Sequence, residues 1–461
     1  MLGEGKSKKA GLLLMFIIIF LPAASGAFYV DPKEYGSPKG EICVQCHKET
    51  TPGIYNQWMQ SAMGQAGVNC YDCHKAEKGD VDAFEHKELI AIVVSPKDCS
   101  RCHEKEFKEF ESSKHASAMD RLRTEDNFFM KAAWGNKNDR KGCTPCHGSV
   151  LKVEKEGKLS PDSWPNTGIG RINPDKSKGS CTACHTRHMF SIEQARRPDS
   201  CGKCHTGDQT GQIEVYYGSE HGAMYKAFRD RMNMDRRRWL PGQDYFQGPT
   251  CVTCHMGAVP PQPEVLNADE RIEQALRGVL KSDAKEFNVL LPPTKVKEPY
   301  YGATHDVGSR LSWDLKSTIS KKNQNWKEKR EMMQTVCKQC HGDHFIEQFY
   351  AQFDDTVEKY NKRFALPARD IRQVLIEDGK LSKKNYDDKL DIIYWNLVDK
   401  DGRKAKYGAA MINPDYVWGK GMEELVARFH TEFLPEARRL MGGKVDELLR
   451  KHGYDDSELK K

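Results

Sequence analysis

Eight times in this chain the pattern Cys-x-x-Cys-His recurs, and the eight copies use all sixteen cysteines. They begin at Cys43, Cys70, Cys99, Cys143, Cys181, Cys201, Cys251 and Cys337. Three lie close together: Cys143-Thr-Pro-Cys146-His147, Cys181-Thr-Ala-Cys184-His185-Thr-Arg-His188, and Cys201-Gly-Lys-Cys204-His205, followed by Ser219-Glu-His221. Two intervening residues let both sulfurs reach one porphyrin edge while the next residue points beneath the metal. Each motif can therefore attach one haem c through two thioethers and supply an axial imidazole. A disulfide framework or zinc knuckles are the competing readings. Neither requires a histidine after every second cysteine. The expectation is eight covalent haems c, attached by Cys43 and Cys46, Cys70 and Cys73, Cys99 and Cys102, Cys143 and Cys146, Cys181 and Cys184, Cys201 and Cys204, Cys251 and Cys254, and Cys337 and Cys340. The proximal ligands are then His47, His74, His103, His147, His185, His205, His255 and His341.

The N-terminus carries Lys6, Lys8 and Lys9, the apolar run Leu12 to Leu21, Pro22, and small residues from Ala23 to Ala27. This pattern predicts an export signal over 1–27, hence a periplasmic or otherwise exported protein with no integral membrane segment after cleavage. The competing reading is an uncleaved anchor, for which the run is short against a span of about 20 residues. Hydrophobic residues make up only 38% of the chain and charged ones 30%, less apolar than a usual soluble domain. Eight porphyrins would supply the missing core. Two propionates per haem against one net positive charge at each ferric centre shift the formal charge of +6 by about −8, so the basic balance implies no nucleic-acid partner.

The predicted fold is mainly α, a multihaem cytochrome c with a haem-packed N-terminal region over 28–344 and long helices in a C-terminal scaffold over 345–461. Ser149 to Ser180 reads as an irregular connection, and a helix is expected from about Ala268 to Lys285. Phe345, Phe349, Phe353, Val357, Tyr360 and Phe364 recur at helical spacing, as do Met422, Val426, Phe429 and Phe433. Both stripes predict core contacts.

The run Cys181 to His188 with Met189-Phe190-Ser191, then Ala195-Arg196-Arg197-Pro198, resembles octahaem hydroxylamine oxidoreductases, as do the order of the eight motifs, Ser219-Glu-His221-Gly222 and Thr304-His305. The resemblance implies a catalytic fourth haem whose one protein ligand is His147, seven six-coordinate haems, and a homotrimer built on the C-terminal helices. It also implies a redox partner cytochrome or other carrier, with an additional cytochrome subunit possible. Distal ligands carried over are His86, His115, His188, His221 and His305. The two remaining family positions hold Met63 and Met411, read as ligands or as packing. His344, His430 and His452 read as surface residues.

Departures from the family bear on the reaction. Asn413 to Gly419 resembles a shortened loop of the reductive branch, which lacks the haem–tyrosine cross-link, so Tyr416 is not expected to form one. Gln209 and Thr210 stand where the family places an Asp-His pair over the catalytic iron, and Ala303 near a family tyrosine. The expected activity is reduction of nitrite or a related small nitrogen oxide, to nitric oxide or further. Alternatives are hydroxylamine oxidation at the same haem and a non-catalytic electron-transfer subunit of a larger complex.

Overall fold

The computed structural model describes residues 36–124, 142–256 and 326–459, apart from 112, 114, 238 and 385, together with residues 258–259 and 288–289. The export segment and the helix expected from Ala268 to Lys285 lie outside the described residues.

The N-terminal half is a run of short helices, each opened by its own sequence signal. Asn69 accepts from the amides of Tyr71 and Asp72, and Asp72 returns a bond to the Asn69 amide at 2.8 Å, starting the helix Cys70–His74. Ser95 and Asp98 make the same box around Pro96–Cys99, with Pro96 in the first turn, where a missing N–H costs nothing. Ser219 caps Glu220–Phe228 through the Gly222 amide. Two antiparallel pairs of strands complete this half: Ala83–Glu85 with Leu89–Ala91, and Ala258–Val259 with Asn288–Val289.

The segment 149–180 is irregular, as expected, but closely held. Arg171, 2% exposed, donates from Nε to Asn173 Oδ1 (2.7 Å) and from its two terminal nitrogens to the carbonyls of Asn166 (3.0 Å) and Val94 (2.6 Å). Burial lowers its pKa to about 10. Gly148, at φ +95°, lies so near Arg171 that a β-carbon would sit 2.2 Å from the Arg171 nitrogen. Only glycine tolerates both the left-handed backbone and this approach.

The C-terminal part is three long helical runs. Asp343–Tyr360, Asn361–Ala365 and Leu366–Glu377 continue one another, as do Lys389–Trp395, Asn396–Asp401 and Gly402–Met411, and then Asp415–Glu423, Glu424–Arg428, Phe429–Phe433 and Leu434–Met441. The segments 361–365 and 429–433 are π-helical and precede Pro367 and Pro435. A prolyl ring and its missing N–H break the regular ladder, and a widened turn accommodates both.

Phe353, Val357, Tyr360, Ile371, Leu375, Leu390, Leu397, Leu425, Phe429 and Phe433 fill one core. Each such burial stabilises by roughly 1.5–3 kcal/mol. Two stripe residues depart from expectation. Val426 is exposed, and Phe345, 54% exposed, leaves the core to stack on the His341 ring at 4.6 Å and 11°. Phe345 lies in the first turn of Asp343–Tyr360, next to the motif that precedes this helix, and its ring covers His341 instead of joining the core.

Asn413 to Gly419 is a correction as well. Instead of a loop, Asp415 onward is helical, and Ile412 (φ 54°) turns the chain. Asn413 receives the Tyr416 amide at 3.2 Å and donates to the Val215 carbonyl at 2.8 Å, tying this hairpin to the haem-motif half.

Within the scaffold Arg428 Nε donates to Asp401 Oδ2 at 2.5 Å, while Asp401 is fully buried and its Oδ1 has no hydrogen-bond partner. Burial holds this carboxyl above the usual carboxylate range, against the pull of Arg428. Arg428→Leu should cost about 3–5 kcal/mol at neutral pH, because a buried charge loses its partner. A raised folded-state pKa means the protonated form is favoured by folding, so the loss should shrink as pH falls. Denaturant unfolding of both proteins at pH 5 and pH 8 tests this; an equal loss at both would refute it.

Candidate functional site

All eight motifs adopt the same turn. In five, the histidine amide donates to the carbonyl of the first cysteine: His103 to Cys99 (2.9 Å), His147 to Cys143 (3.0 Å), His185 to Cys181 (3.0 Å), His205 to Cys201 (2.9 Å) and His341 to Cys337 (2.9 Å). The other three lie within the helices Gly40–Thr50, Cys70–His74 and Cys251–His255. One helical turn places the two thiols and the imidazole along one side of the chain. Residues inside the motifs help to fix it: Asp72 caps its own helix, and Thr253 accepts the Thr250 amide at 3.0 Å and bonds the Tyr245 hydroxyl at 2.6 Å.

The motifs surround a continuous cavity of about 2270 Å³, more than twice the upper end for ordinary ligand pockets. Its wall carries thiols and imidazoles from seven motifs, with apolar side chains such as Val44, Ile90, Ile213 and Phe349. All sixteen thiols are free. Across the cavity, imidazoles face each other in pairs. His47 and His86 have ring centres 6.4 Å apart, His205 and His115 6.3 Å, and His341 and His221 6.1 Å. Two imidazoles that each bring a nitrogen to about 2 Å from one metal have centres about 6 Å apart, so each pair leaves room for one iron. Burial pushes His115 and His255 down to about 4, and burial together with the charge of His74 does the same to His188. Neutral rings are the form that binds a metal. Met63 and Met411 both line the cavity, and Met411 also packs on a cluster with Tyr216, Tyr225 and Trp239. His305 and Ala303 lie outside the described residues. His344, His430 and His452 are not on the wall; His344 contacts Gln348, and His452 contacts Asp370.

Comparisons with known proteins agree with this geometry. Residues 66–259 match the family described as "Seven times multi-haem cytochrome CxxCH", a span holding the six motifs from Cys70 to Cys251. A probable nitrite reductase–hydroxylamine oxidoreductase fusion protein of Kuenenia stuttgartiensis is 27% identical over 384 residues, 74% of this chain. The chain spans 38% of that relative's length. Among solved structures, a hypothetical multihaem protein aligns at a TM-score of 0.65 and 22% identity, over 89% of this chain and 99% of its own. A reducing HAO-like protein complex of K. stuttgartiensis aligns at 0.57 and 19%, over 90% and 87%. The chain is a multihaem cytochrome with a hydroxylamine-oxidoreductase-like fold.

Within this cytochrome, haem c fits the wall: paired free thiols, apolar surroundings and facing neutral imidazoles are the donor set that group needs. Cysteine contacts join the attachment sites: Cys99 to Cys181, Cys201 to Cys251 and Cys146 to Cys204. The fourth motif differs from the rest. Neither Cys143, Cys146 nor His147 is on the cavity wall, whereas every other motif contributes its histidine to it; His147 is exposed, as His103 is. Its ring faces the Ala118 carbonyl at 3.4 Å through Nδ1, which leaves Nε2 for a metal. Gln209 and Thr210 lie in the short helix Gly207–Thr210 just beyond the sixth motif; their side chains are outside the description. Sequence reasoning missed Asp208 beside them, held by Lys400 at 2.7 Å and Lys404 at 3.6 Å.

Intact mass and alkaline-pyridine spectra should both report eight haems. If Met63 and Met411 are axial ligands, at least one haem should titrate well above the bis-histidine group, since thioether ligation raises the potential. Met63→His and Met411→His should then lower it with no loss of haem. Unchanged titrations would show that both residues only pack.

Proposed function

We propose that this cytochrome is an exported octahaem oxidoreductase that reduces nitrite or a related small nitrogen oxide at the fourth motif, supplied with electrons by a partner cytochrome or other carrier. It would act as a homotrimer, with a further cytochrome subunit possible. The observation that carries this reading is the separation of His147 from the cavity that the other seven motifs share. Haem c supplies one-electron transfer, and an open axial position on one such group is a site for a small nitrogen oxide. His147 would be its one protein ligand there. The Cys146–Cys204 contact, with Cys146 Sγ 3.7 Å from the Lys203 carbonyl, sets this attachment site against the sixth.

Protons decide how far reduction goes. Converting nitrite to nitric oxide takes one electron and two protons; hydroxylamine or ammonium takes several more of each. An amide and a hydroxyl at Gln209 and Thr210 replace an acid and an imidazole. The neighbouring Asp208 does not substitute for them, because Lys400 and Lys404 hold its carboxyl below the usual range, where it stays deprotonated. Nitric oxide is therefore the expected product.

The reduced protein should bind nitric oxide or cyanide at one haem and convert nitrite mainly to nitric oxide. Gln209→Asp with Thr210→His should speed the later steps by about 10²-fold, the range for a positioned acid–base group. Product analysis with a low-potential reductant checks both. Ammonium as the main product of the unmodified protein refutes the proton argument. Failure to bind any of the three ligands favours a pure electron-transfer subunit.

A further inference from the structure

The sixth motif is the one in thiol contact with the fourth, so what tunes it bears on electron supply to the proposed reaction site. Immediately beyond it, the Ile213 amide donates to the His205 carbonyl at 3.1 Å, folding the helix Gln212–Tyr217 back on the motif. Gln212 thereby joins the cavity wall beside the His205 ring. Its side-chain oxygen is buried with no hydrogen-bond partner, and its amide lies close enough to the His205 ring to act on it. The Gln212 side chain also meets Tyr407, on the helix Gly402–Met411. A buried amide oxygen without a donor is destabilising, and a ligating imidazole has one N–H left to give.

We propose that Gln212 is a positioning residue for the sixth haem: its side-chain oxygen accepts the Nδ1–H of His205 when Nε2 is bound to iron. Tyr407 holds the amide so that oxygen rather than nitrogen faces the ring. The accepted bond places electron density on the imidazole, favours the oxidised iron, and sets the potential of the group beside the fourth motif. This inference rests on attachment of haem at Cys201 and Cys204, not on the identity of the substrate.

The variants Gln212→Glu, Gln212→Leu and Tyr407→Phe of the full holoprotein test it by spectroelectrochemical titration at pH 8, with haem content followed by intact mass. The sixth centre can be recognised by electron paramagnetic resonance. The His205 and His115 planes are 71° apart, against 47° for His47–His86 and 43° for His221–His341, so its signal should be the most anisotropic of these three. Gln212→Glu, a stronger acceptor, should shift the oxidised-to-reduced ratio of that centre about tenfold toward the oxidised form at fixed potential, 59 mV for one electron. Gln212→Leu should shift it the other way, and Tyr407→Phe should give a smaller change of the same sign as Leu. With the full haem complement, unaltered titrations in both Gln212 variants overturn the proposal. A wild-type mass lacking one haem, traced to an unmodified Cys201–Cys204 peptide, would overturn it through the attachment on which it rests, whatever the fate of the nitrite reading.

Discussion

The interaction on which the rest depends is the one between a large apolar cavity and what fills it. A space of about 2270 Å³ walled by side chains such as Val44, Ile90 and Phe349 would, at the usual cost of unfilled cavity volume, exceed the whole net stability of a domain. The N-terminal half has short helices and few buried apolar side chains of its own. Haem therefore has to be core there as well as cofactor. The C-terminal runs are the opposite case: Phe429, Phe433, Leu375 and Val357 are completely buried and form a conventional helix-on-helix core. Asn413 joins the two regimes through the Val215 carbonyl, and Gly218 permits it, since a β-carbon there would lie 2.4 Å from the Asn413 amide nitrogen.

What could be read from the sequence divides along the same line. Cys-x-x-Cys-His is a covalent requirement satisfied within one helical turn, so each motif could be read locally and each does adopt that turn. The long helices were visible because an apolar stripe has a period. The stripe did not reveal which of its members turn away: Phe345 fits the spacing, yet it lies in the first turn of its helix and stacks on His341 of the preceding motif. The hairpin at Asn413 was misread because its capping partner, Val215, is far away in the chain. Gln212 carried no local signal either. Its significance comes from the Ile213–His205 backbone bond, and such a reversal cannot be inferred from composition or periodicity.

Pairing of imidazoles is long-range in the same sense. His86, His115 and His221 meet His47, His205 and His341 across gaps of 39, 90 and 120 residues. No spacing rule links such positions; the resemblance to octahaem enzymes singled out the distal residues, and the fold supplied their partners. Desolvation then does chemical work. The same burial that pushes His115 and His255 down to about 4 keeps them neutral near pH 7, so neither must lose a proton to bind a metal.

The fourth motif shows why proximity in sequence is a poor guide to shared environment. Cys143 to His147 lies between motifs that wall the cavity, yet Gly148 turns the chain and the loop around Arg171 backs it on the other side. Its contact with the sixth motif is through sulfur, at Cys146 and Cys204, whereas His147 faces away toward Ala118 and solvent. An attachment site joined to the sixth motif along one edge and lying off the shared cavity is, on the proposed reading, where a small molecule would be met. Asp208, beside Gln209 and Thr210, is held by two lysines and is poorly suited to deliver protons. On the proposed reading, the chemistry at His147 is therefore governed by how quickly protons reach it, because the thiol-linked sites already place electrons next to it.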